Sequence, residues 1–224
     1  MKKLIFILIT VVAATVFTGC GTGIKIVDSW TSQDVSQMKQ KSILVIASTN
    51  NKKARIGFES EIAKQLNAKG LNATASFSRF PTIDFEAEKT QKRKDLIKTI
   101  LESEGYNGIV ITVVKDVVER TITSGNDYYY TGGPWNSYYP SYYGGFYGYY
   151  ATPYTYSYNM NMVGSSSTYT SKTYYLETIA YNLDNPKDVQ LVALVTSQVK
   201  DPKDAFDAAE DYAEKVVKSL EDKK

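Results

Sequence analysis

The chain of 224 residues contains no histidine, and its only cysteine is Cys20. The absence of histidine excludes Ser-His-Asp and Cys-His catalysis as well as a histidine general base. Ordinary zinc and transition-metal sites are excluded with them, because they need histidine or cysteine ligands. An enzyme would have to use carboxylates, lysine, tyrosine or an all-oxygen metal site. The sequence therefore favours a protein without enzymatic activity, and it predicts no cofactor and no metal.

A surplus of charge is also lacking. The chain has 26 Lys and Arg residues against 24 Asp and Glu residues, a formal charge of +2. Lys2 and Lys3 account for this excess, so the rest of the chain is balanced. Domains that bind nucleic acids carry an excess of basic side chains on one face. The composition therefore disfavours a nucleic-acid partner.

The first twenty residues carry an export signal. Lys2 and Lys3 form a positive head, residues 4–17 are apolar or small, and the sequence FTGC at residues 17–20 ends the run. This is the pattern of a bacterial secretion signal, and the run is shorter than the roughly 20 residues that cross a bilayer core. Its last four residues resemble the lipobox of bacterial lipoproteins. The resemblance implies that a signal peptide of residues 1–19 is removed and that Cys20 is acylated with fatty chains such as palmitate. The alternative is an ordinary cleaved signal that leaves a free buried thiol.

Gly21, and not Asp, follows the cysteine. By resemblance to the lipoproteins of two-membrane bacteria, this residue favours sorting to the outer membrane. The protein would then face the periplasm. Residues 20–23 would then form a short lipidated linker. The remaining residues, 24–224, fit a single domain.

The pattern of this domain predicts an α/β fold with a mixed sheet of about five or six strands and three helices. Residues 42–48 are a continuous apolar run, typical of a strand covered on both faces. Strand, helix and strand alternate through the first half, which predicts three parallel strands. The predicted strands are residues 24–30, 42–48, 71–80, 108–121, 172–183 and 189–199. The predicted helices are residues 52–69, residues 86–104 and a last helix that begins at Asp201-Pro202 with Asp201 as its cap.

A long insertion of low complexity separates the two halves. Residues 128–171 contain no charged side chain and hold 14 of the 19 tyrosines. Glycine and proline within this stretch argue against a regular helix, and a loop of this length in a compact fold is functional, disordered or both. Tyrosine offers a flat apolar face and a hydroxyl group, which suits sugars and protein surfaces. The candidate partner-binding residues are Tyr128, Tyr129, Tyr130, Trp135, Tyr138, Tyr139, Tyr142, Tyr143, Phe146, Tyr147, Tyr149 and Tyr150. Composition alone leaves open whether this is a binding loop or a tolerated insertion.

Four residues at the start of the first predicted helix form a candidate anion site. Ligands favour the carboxyl ends of parallel strands, and free backbone N–H groups with cationic side chains can hold a phosphate or carboxylate there. The residues are Asn51, Lys52, Lys53 and Arg55. The alternative is an ordinary solvated turn.

Three carboxylates on predicted strands, Asp116, Glu119 and Glu177, are candidates for glycoside hydrolysis. That chemistry needs two carboxyl groups that converge on one bond. The alternative is that strand alternation puts most of them on a solvated face.

These segments together resemble a known group of proteins. The chain resembles small bacterial lipoproteins of unknown function in five segments. They are the run SILVIAS, the run GYNGIVITVV, the Tyr/Gly/Pro insertion, the strand YYLETIAYNL and the final helix. Their domain is similar in outline to the N-terminal domain of TolB and to periplasmic lipoprotein activators of penicillin-binding proteins. The resemblance implies a periplasmic α/β domain that binds another envelope component, and it implies no reaction.

We therefore expect a lipid-anchored envelope lipoprotein that is a non-enzymatic binding module for an envelope protein or for peptidoglycan, the cell-wall glycan. A structural envelope lipoprotein with a disordered loop is the first alternative. An acid-dependent hydrolase is the second.

Overall fold

The computed structural model describes residues 23–83, 90–123, 126–127, 145–151 and 168–221. The predicted signal peptide and Cys20 lie outside these residues. Among the described helices, none combines the length and the apolar character needed to cross a membrane.

The described strands form one mixed sheet with the order β1-β7-β6-β4-β2-β3, and β5 pairs with the end of β4. The strands are β1 (Gly23–Thr31), β2 (Ser42–Ser48), β3 (Asn72–Ala75), β4 (Gly108–Thr123), β5 (Asn126–Asp127), β6 (Thr168–Asn182) and β7 (Leu191–Lys200). β2 is parallel to β3 and β4, whereas β6, β7 and β1 add to β4 in antiparallel pairs. The α/β class, the mixed sheet and the parallel group of three strands are confirmed, and the first strand lies at an edge of the sheet.

Five α-helical segments accompany this sheet in the described part of the chain. They are α1 (Lys52–Ala68), α2 (Ser76–Arg79), α3 (Gln91–Ser103), α4 (Gly145–Ala151) and α5 (Ala205–Glu221), and 3-10 turns occupy Gln33–Gln40 and Lys187–Val189. The prediction of three helices is therefore wrong, because it missed the short helices α2 and α4. The insertion assigned to residues 128–171 also includes the first residues of β6.

Helices cover the sheet on both faces, and β2 shows how. Ile43 and Val45 pack in the cluster that contains α1 and α5, while Leu44 and Ile46 pack in the cluster that contains α3 and α4. All four side chains are fully buried. Because successive side chains of a strand point to opposite faces, a continuous apolar run needs this double cover. The prediction for residues 42–48 is confirmed.

The strand predicted over residues 71–80 ends at Ala75, and α2 follows. A buried carboxylate causes this turn. Ser76 Oγ donates a hydrogen bond of 2.7 Å to Glu59 Oε1, and Phe77 N donates one of 2.6 Å to Glu59 Oε2. The chain bends toward α1 because a buried carboxylate must be met by donors.

The cap predicted for the last helix is also wrong. α5 begins at Ala205, where the Asp204 carboxylate accepts a hydrogen bond of 2.7 Å from Phe206 N. Asp201 lies in the left-handed region with φ 47°. Its carboxylate instead accepts hydrogen bonds from Lys172 N at 2.6 Å and Ser171 Oγ at 2.8 Å. Asp201 therefore fastens the start of β6 to the end of β7.

Strands β4 and β6 extend beyond their neighbours as a two-stranded ribbon. The β2–β4 register stops at Val113, and the β6–β7 register stops where Thr173 meets Lys200. The β4–β6 register continues to the pair Thr123 and Thr168. We call residues 118–123 and 168–173 the ribbon end. The two strands of this ribbon are the parts of the sheet that flank the aromatic insertion in the chain.

Candidate functional site

Helix α4 lies in the middle of the aromatic insertion and is part of the core. Phe146 and Tyr149 have no exposed surface, and Tyr150 is 1% exposed. The rings of Phe146 and Tyr149 lie 5.7 and 6.1 Å from the ring of Tyr181 on β6. The expectation that glycine would prevent a helix here is wrong, because packing against the sheet supplies what local propensity lacks.

This burial changes the set of candidate contact residues. In this arrangement Phe146, Tyr149 and Tyr150 present no surface to a partner, so their predicted role as direct contacts is corrected to that of anchors. Tyr147 is half-buried and packs edge-on against Phe146 at 5.1 Å. Burial, and next the field of Glu102, raises the pKa of Tyr147 to about 12. The other eight candidates, from Tyr128 to Tyr143, lie outside the described residues.

The start of α4 is fixed by Gln190, which precedes β7. Gln190 Oε1 accepts a hydrogen bond of 3.2 Å from Phe146 N, and Nε2 donates to the carbonyl oxygens of Leu183 and Asn185, each at 3.3 Å. Gly145 has φ +75°, and a Cβ at this position would lie 2.5 Å from Gln190 Oε1. Both the backbone conformation and the space therefore require glycine.

The end of α4 is fixed by a buried polar cluster of Tyr149, Glu177 and Lys115. Glu177, on β6, is 2% exposed. Its Oε2 accepts a hydrogen bond of 2.8 Å from the Tyr149 hydroxyl group and lies 3.5 Å from Lys115 Nζ. Lys115 Nζ also lies 5.5 Å from the centre of the Tyr149 ring. The charge pair and the hydrogen bond compensate for burying the carboxylate, which would otherwise cost several kcal/mol.

A β-bulge places Lys115 in this cluster. The β4–β6 register shifts between Val114 and Asp116, so Lys115 is the extra residue of the bulge. A bulge re-aims side chains and is frequent beside functional sites. It brings the Lys115 ammonium group next to Glu177, which the register pairs with Val113.

The three candidate catalytic carboxylates are engaged separately. Glu119 pairs with Lys172 on the ribbon end, and Asp116 Oδ1 accepts a hydrogen bond of 2.8 Å from Val117 N. Glu119 lies opposite Lys172, five positions from Glu177, which is about 17 Å along the strand. This exceeds the separation that glycoside hydrolysis tolerates. Glu177 itself is closed off beneath Tyr149.

Two of the four candidate anion-binding residues, Asn51 and Arg55, make hydrogen bonds within the domain. Asn51 caps α1, with Oδ1 accepting a hydrogen bond of 3.1 Å from Ala54 N, and Lys52 and Lys53 are exposed. Arg55 points inward and donates hydrogen bonds to Glu59 Oε1 at 3.1 Å and to the carbonyl oxygen of Ile83 at 2.8 Å. The structure therefore does not place Arg55 with the two lysines, and the prediction of a joint site is corrected.

Glu59 is a structural residue that the sequence analysis missed. It has no exposed surface, and its carboxylate also accepts a hydrogen bond of 3.0 Å from Ala47 N at the end of β2. The chain's own carboxylate thus occupies the end of the parallel strands where an external anion was expected. The spacing of Arg55 and Glu59, four positions apart on one helix, was the available signal.

Neither a family model nor a curated protein matches the chain. Among solved structures, it is similar to the PelC dodecamer from Paraburkholderia phytofirmans, with 11% identity and a TM-score of 0.40 over 88% of this chain and 96% of that chain. A crystal form of a point variant of the same dodecamer gives 11% identity and a TM-score of 0.39 over 89% of this chain and 98% of that chain. Similarity at this level carries no argument about function.

Proposed function

We propose that the chain is an envelope lipoprotein, anchored to the outer membrane through Cys20 and facing the periplasm. In this proposal its α/β domain is a non-enzymatic binding module for an envelope protein or peptidoglycan. The resemblance to the TolB N-terminal domain belongs to the same proposal.

The observation that carries the binding role is the attachment of α4 at both of its ends. Gln190 holds its start, and the Glu177 carboxylate holds Tyr149 near its end. The chain between β5 and β6 is thereby divided into two shorter segments, residues 128–144 and residues 152–167, each joined to the domain at both ends.

Division of the insertion favours binding for an entropic reason. The conformational entropy of a closed segment grows with its length. Two segments of 17 and 16 residues therefore lose less conformational entropy on binding than one long loop would. Reduced ordering cost raises affinity without any new contact. The first segment also contains Trp135 and seven tyrosines, which are suited to stacking on sugars and to protein contacts.

Site-specific photo-crosslinking in intact cells tests this proposal. A photoreactive phenylalanine analogue at Tyr138, in the first segment, should give a defined crosslinked product with an envelope protein or peptidoglycan. The same analogue at the exposed Lys98 of α3 is the matched control and should give none. Replacement of residues 128–144 by a Gly/Ser linker of equal length should leave the domain folded and should remove co-sedimentation with purified peptidoglycan sacculi or capture of the crosslinked protein.

The results that oppose the proposal are equally specific. If the variant without residues 128–144 retains its partner, the binding role of the first segment is wrong. If Tyr138 crosslinks no more than Lys98, the structural alternative is favoured. The anchor is tested separately, because the Cys20→Ser variant should leave the membrane fraction and remain unacylated.

A further inference from the structure

The start of β1 shares one end of the sheet with the ribbon end. Gly23 pairs with Lys200 on β7, Lys200 pairs with Thr173 on β6, and Thr173 pairs with Val118 on β4. These four residues form a row across the sheet. The ribbon end runs beyond this row by five further residue pairs, to Thr123 and Thr168.

The distance from this row to a membrane is limited by the chain itself. Cys20 precedes Gly23 by three residue steps, which reach at most about 11 Å when fully extended. Five further pairs of an antiparallel ribbon extend about 17 Å. The ribbon end is thus longer than the link that joins the row to the acylated residue. The ribbon end is therefore long enough to reach the bilayer of a domain tethered at Cys20.

The residues of the ribbon end suit the headgroup layer. Beyond the ion pair of Glu119 and Lys172, the pairs are Arg120 with Ser171, Thr121 with Thr170, Ile122 with Tyr169 and Thr123 with Thr168. Tyrosine is enriched at the membrane–water interface, where its ring is apolar and its hydroxyl group stays hydrated.

Cations lie at the same end of the domain. Lys200 ends β7 in the row that contains Gly23, and Lys203 follows it, with both residues exposed. The carboxylates of Asp201 and Asp204, which lie between and beside them, accept hydrogen bonds from the backbone N–H groups of Lys172 and Phe206. Lysines close to a membrane surface are attracted to its anionic headgroups.

We propose that the ribbon end, residues 118–123 and 168–173, rests in the headgroup layer of the membrane that holds Cys20. This inference rests on the lipid anchor of the proposed function. It goes beyond that function by assigning which end of the domain faces the bilayer. Asp127 and Thr168, which flank residues 128–167, are then held at the membrane surface.

Depth-dependent fluorescence quenching of the acylated full chain tests the proposal. The chain has no cysteine besides Cys20, so one introduced cysteine takes one fluorophore. Thr170→Cys labels the exposed ribbon end, and Lys39→Cys labels the exposed 3-10 turn at the opposite end of the sheet. Both proteins are reconstituted in vesicles that contain phosphatidylglycerol and lipids with a shallow nitroxide group. We expect strong quenching and a blue-shifted emission at Thr170→Cys, and emission at Lys39→Cys that matches protein in buffer.

The acylation state of the protein distinguishes failure of the proposed orientation from failure of the proposed anchor. If the protein is acylated and floats with the vesicles, but the label at position 170 is not quenched, the orientation is wrong and the anchor stands. If the protein is not acylated, the inference falls together with the anchor. Ribbon ends that pair between two copies would give self-quenching of the label at position 170 that is lost on dilution with unlabelled protein, and this result would also overturn the proposal.

Discussion

The Tyr149→Phe substitution is the most direct test of how the aromatic insertion is held. It removes one hydroxyl group, which donates a hydrogen bond of 2.8 Å to the buried Glu177 carboxylate. The ring itself is retained, so packing against Tyr181 is unchanged. A hydrogen bond to a charged group contributes about 1.5–3 kcal/mol, and a buried acceptor that loses its donor falls in this range. We expect the free energy of unfolding to fall by that amount.

Urea denaturation followed by circular dichroism measures this loss. With a slope of about 2 kcal/mol per molar urea, the unfolding midpoint should fall by about 1 M. Amide hydrogen exchange at Phe146 and Tyr150 should accelerate as well, because α4 would detach before the sheet unfolds.

Tyr147→Phe is the matched control from the same helix. Tyr147 is half-buried and lies beside Phe146, so loss of its hydroxyl group should change the stability by less than about 0.5 kcal/mol. Equal losses in both variants would refute the role of the Tyr149–Glu177 bond. So would a Tyr149→Phe protein that keeps the wild-type midpoint and the wild-type exchange rates in α4.

Three further predictions concern residues that stabilise the fold. Glu59→Gln should destabilise the domain by about 3 kcal/mol in urea denaturation because Arg55 loses its buried counter-charge. Glu61→Gln, which breaks a surface pair with Lys64, should cost less than about 1 kcal/mol in the same assay. Similar losses of stability in the two variants would contradict this reasoning. Gly145→Ala should cost about 1 kcal/mol more than Gly105→Ala in the same assay, because both glycines have positive φ but only the first has Gln190 in the way. Burial raises the pKa of Tyr212 to about 12 against 10 when unfolded, so stability should fall as the pH rises from 10 to 12, by about 1.4 kcal/mol per pH unit. The Tyr212→Phe variant should lack this part of the slope, and an unchanged slope in that variant would show that other groups cause it.

The elements that the sequence predicts well are those whose cause is local. Residues 42–48 and the hairpin of β6 and β7 carry their own apolar patterns, so their strands follow directly. α2 was missed because its cause is distant: Glu59, 17 positions before Ser76, accepts the hydrogen bonds that bend the chain. The sequence of residues 71–80 contains no sign of that contact.

The helix within the insertion could not be predicted for a similar reason. Residues 145–151 read GFYGYYA, in which two glycines weaken any helical propensity. The helix forms because Phe146, Tyr149 and Tyr150 gain burial against the sheet, and because Gln190 Oε1 accepts a hydrogen bond from Phe146 N near the start of the helix. The sequence singles out Glu177 only as a candidate catalytic carboxylate and gives no sign that Gln190 contacts this segment. The hairpin of β6 and β7 brings both beneath α4.

Aromatic burial alone would not fix the position of α4. Phe146, Tyr149 and Tyr150 are similar in size, so sliding the helix along the sheet could exchange one ring for another at little cost in buried area. The polar contacts are less tolerant, because the Glu177 carboxylate pays a desolvation cost unless a donor sits within hydrogen-bond distance. At the other end of the helix, Gln190 Oε1 accepts a hydrogen bond from Phe146 N, which also depends on the position of the helix. Two polar contacts therefore select one register for an apolar surface that would accept several, and in doing so they fix the positions of Gly145 and Ala151, to which the two segments of the insertion are joined.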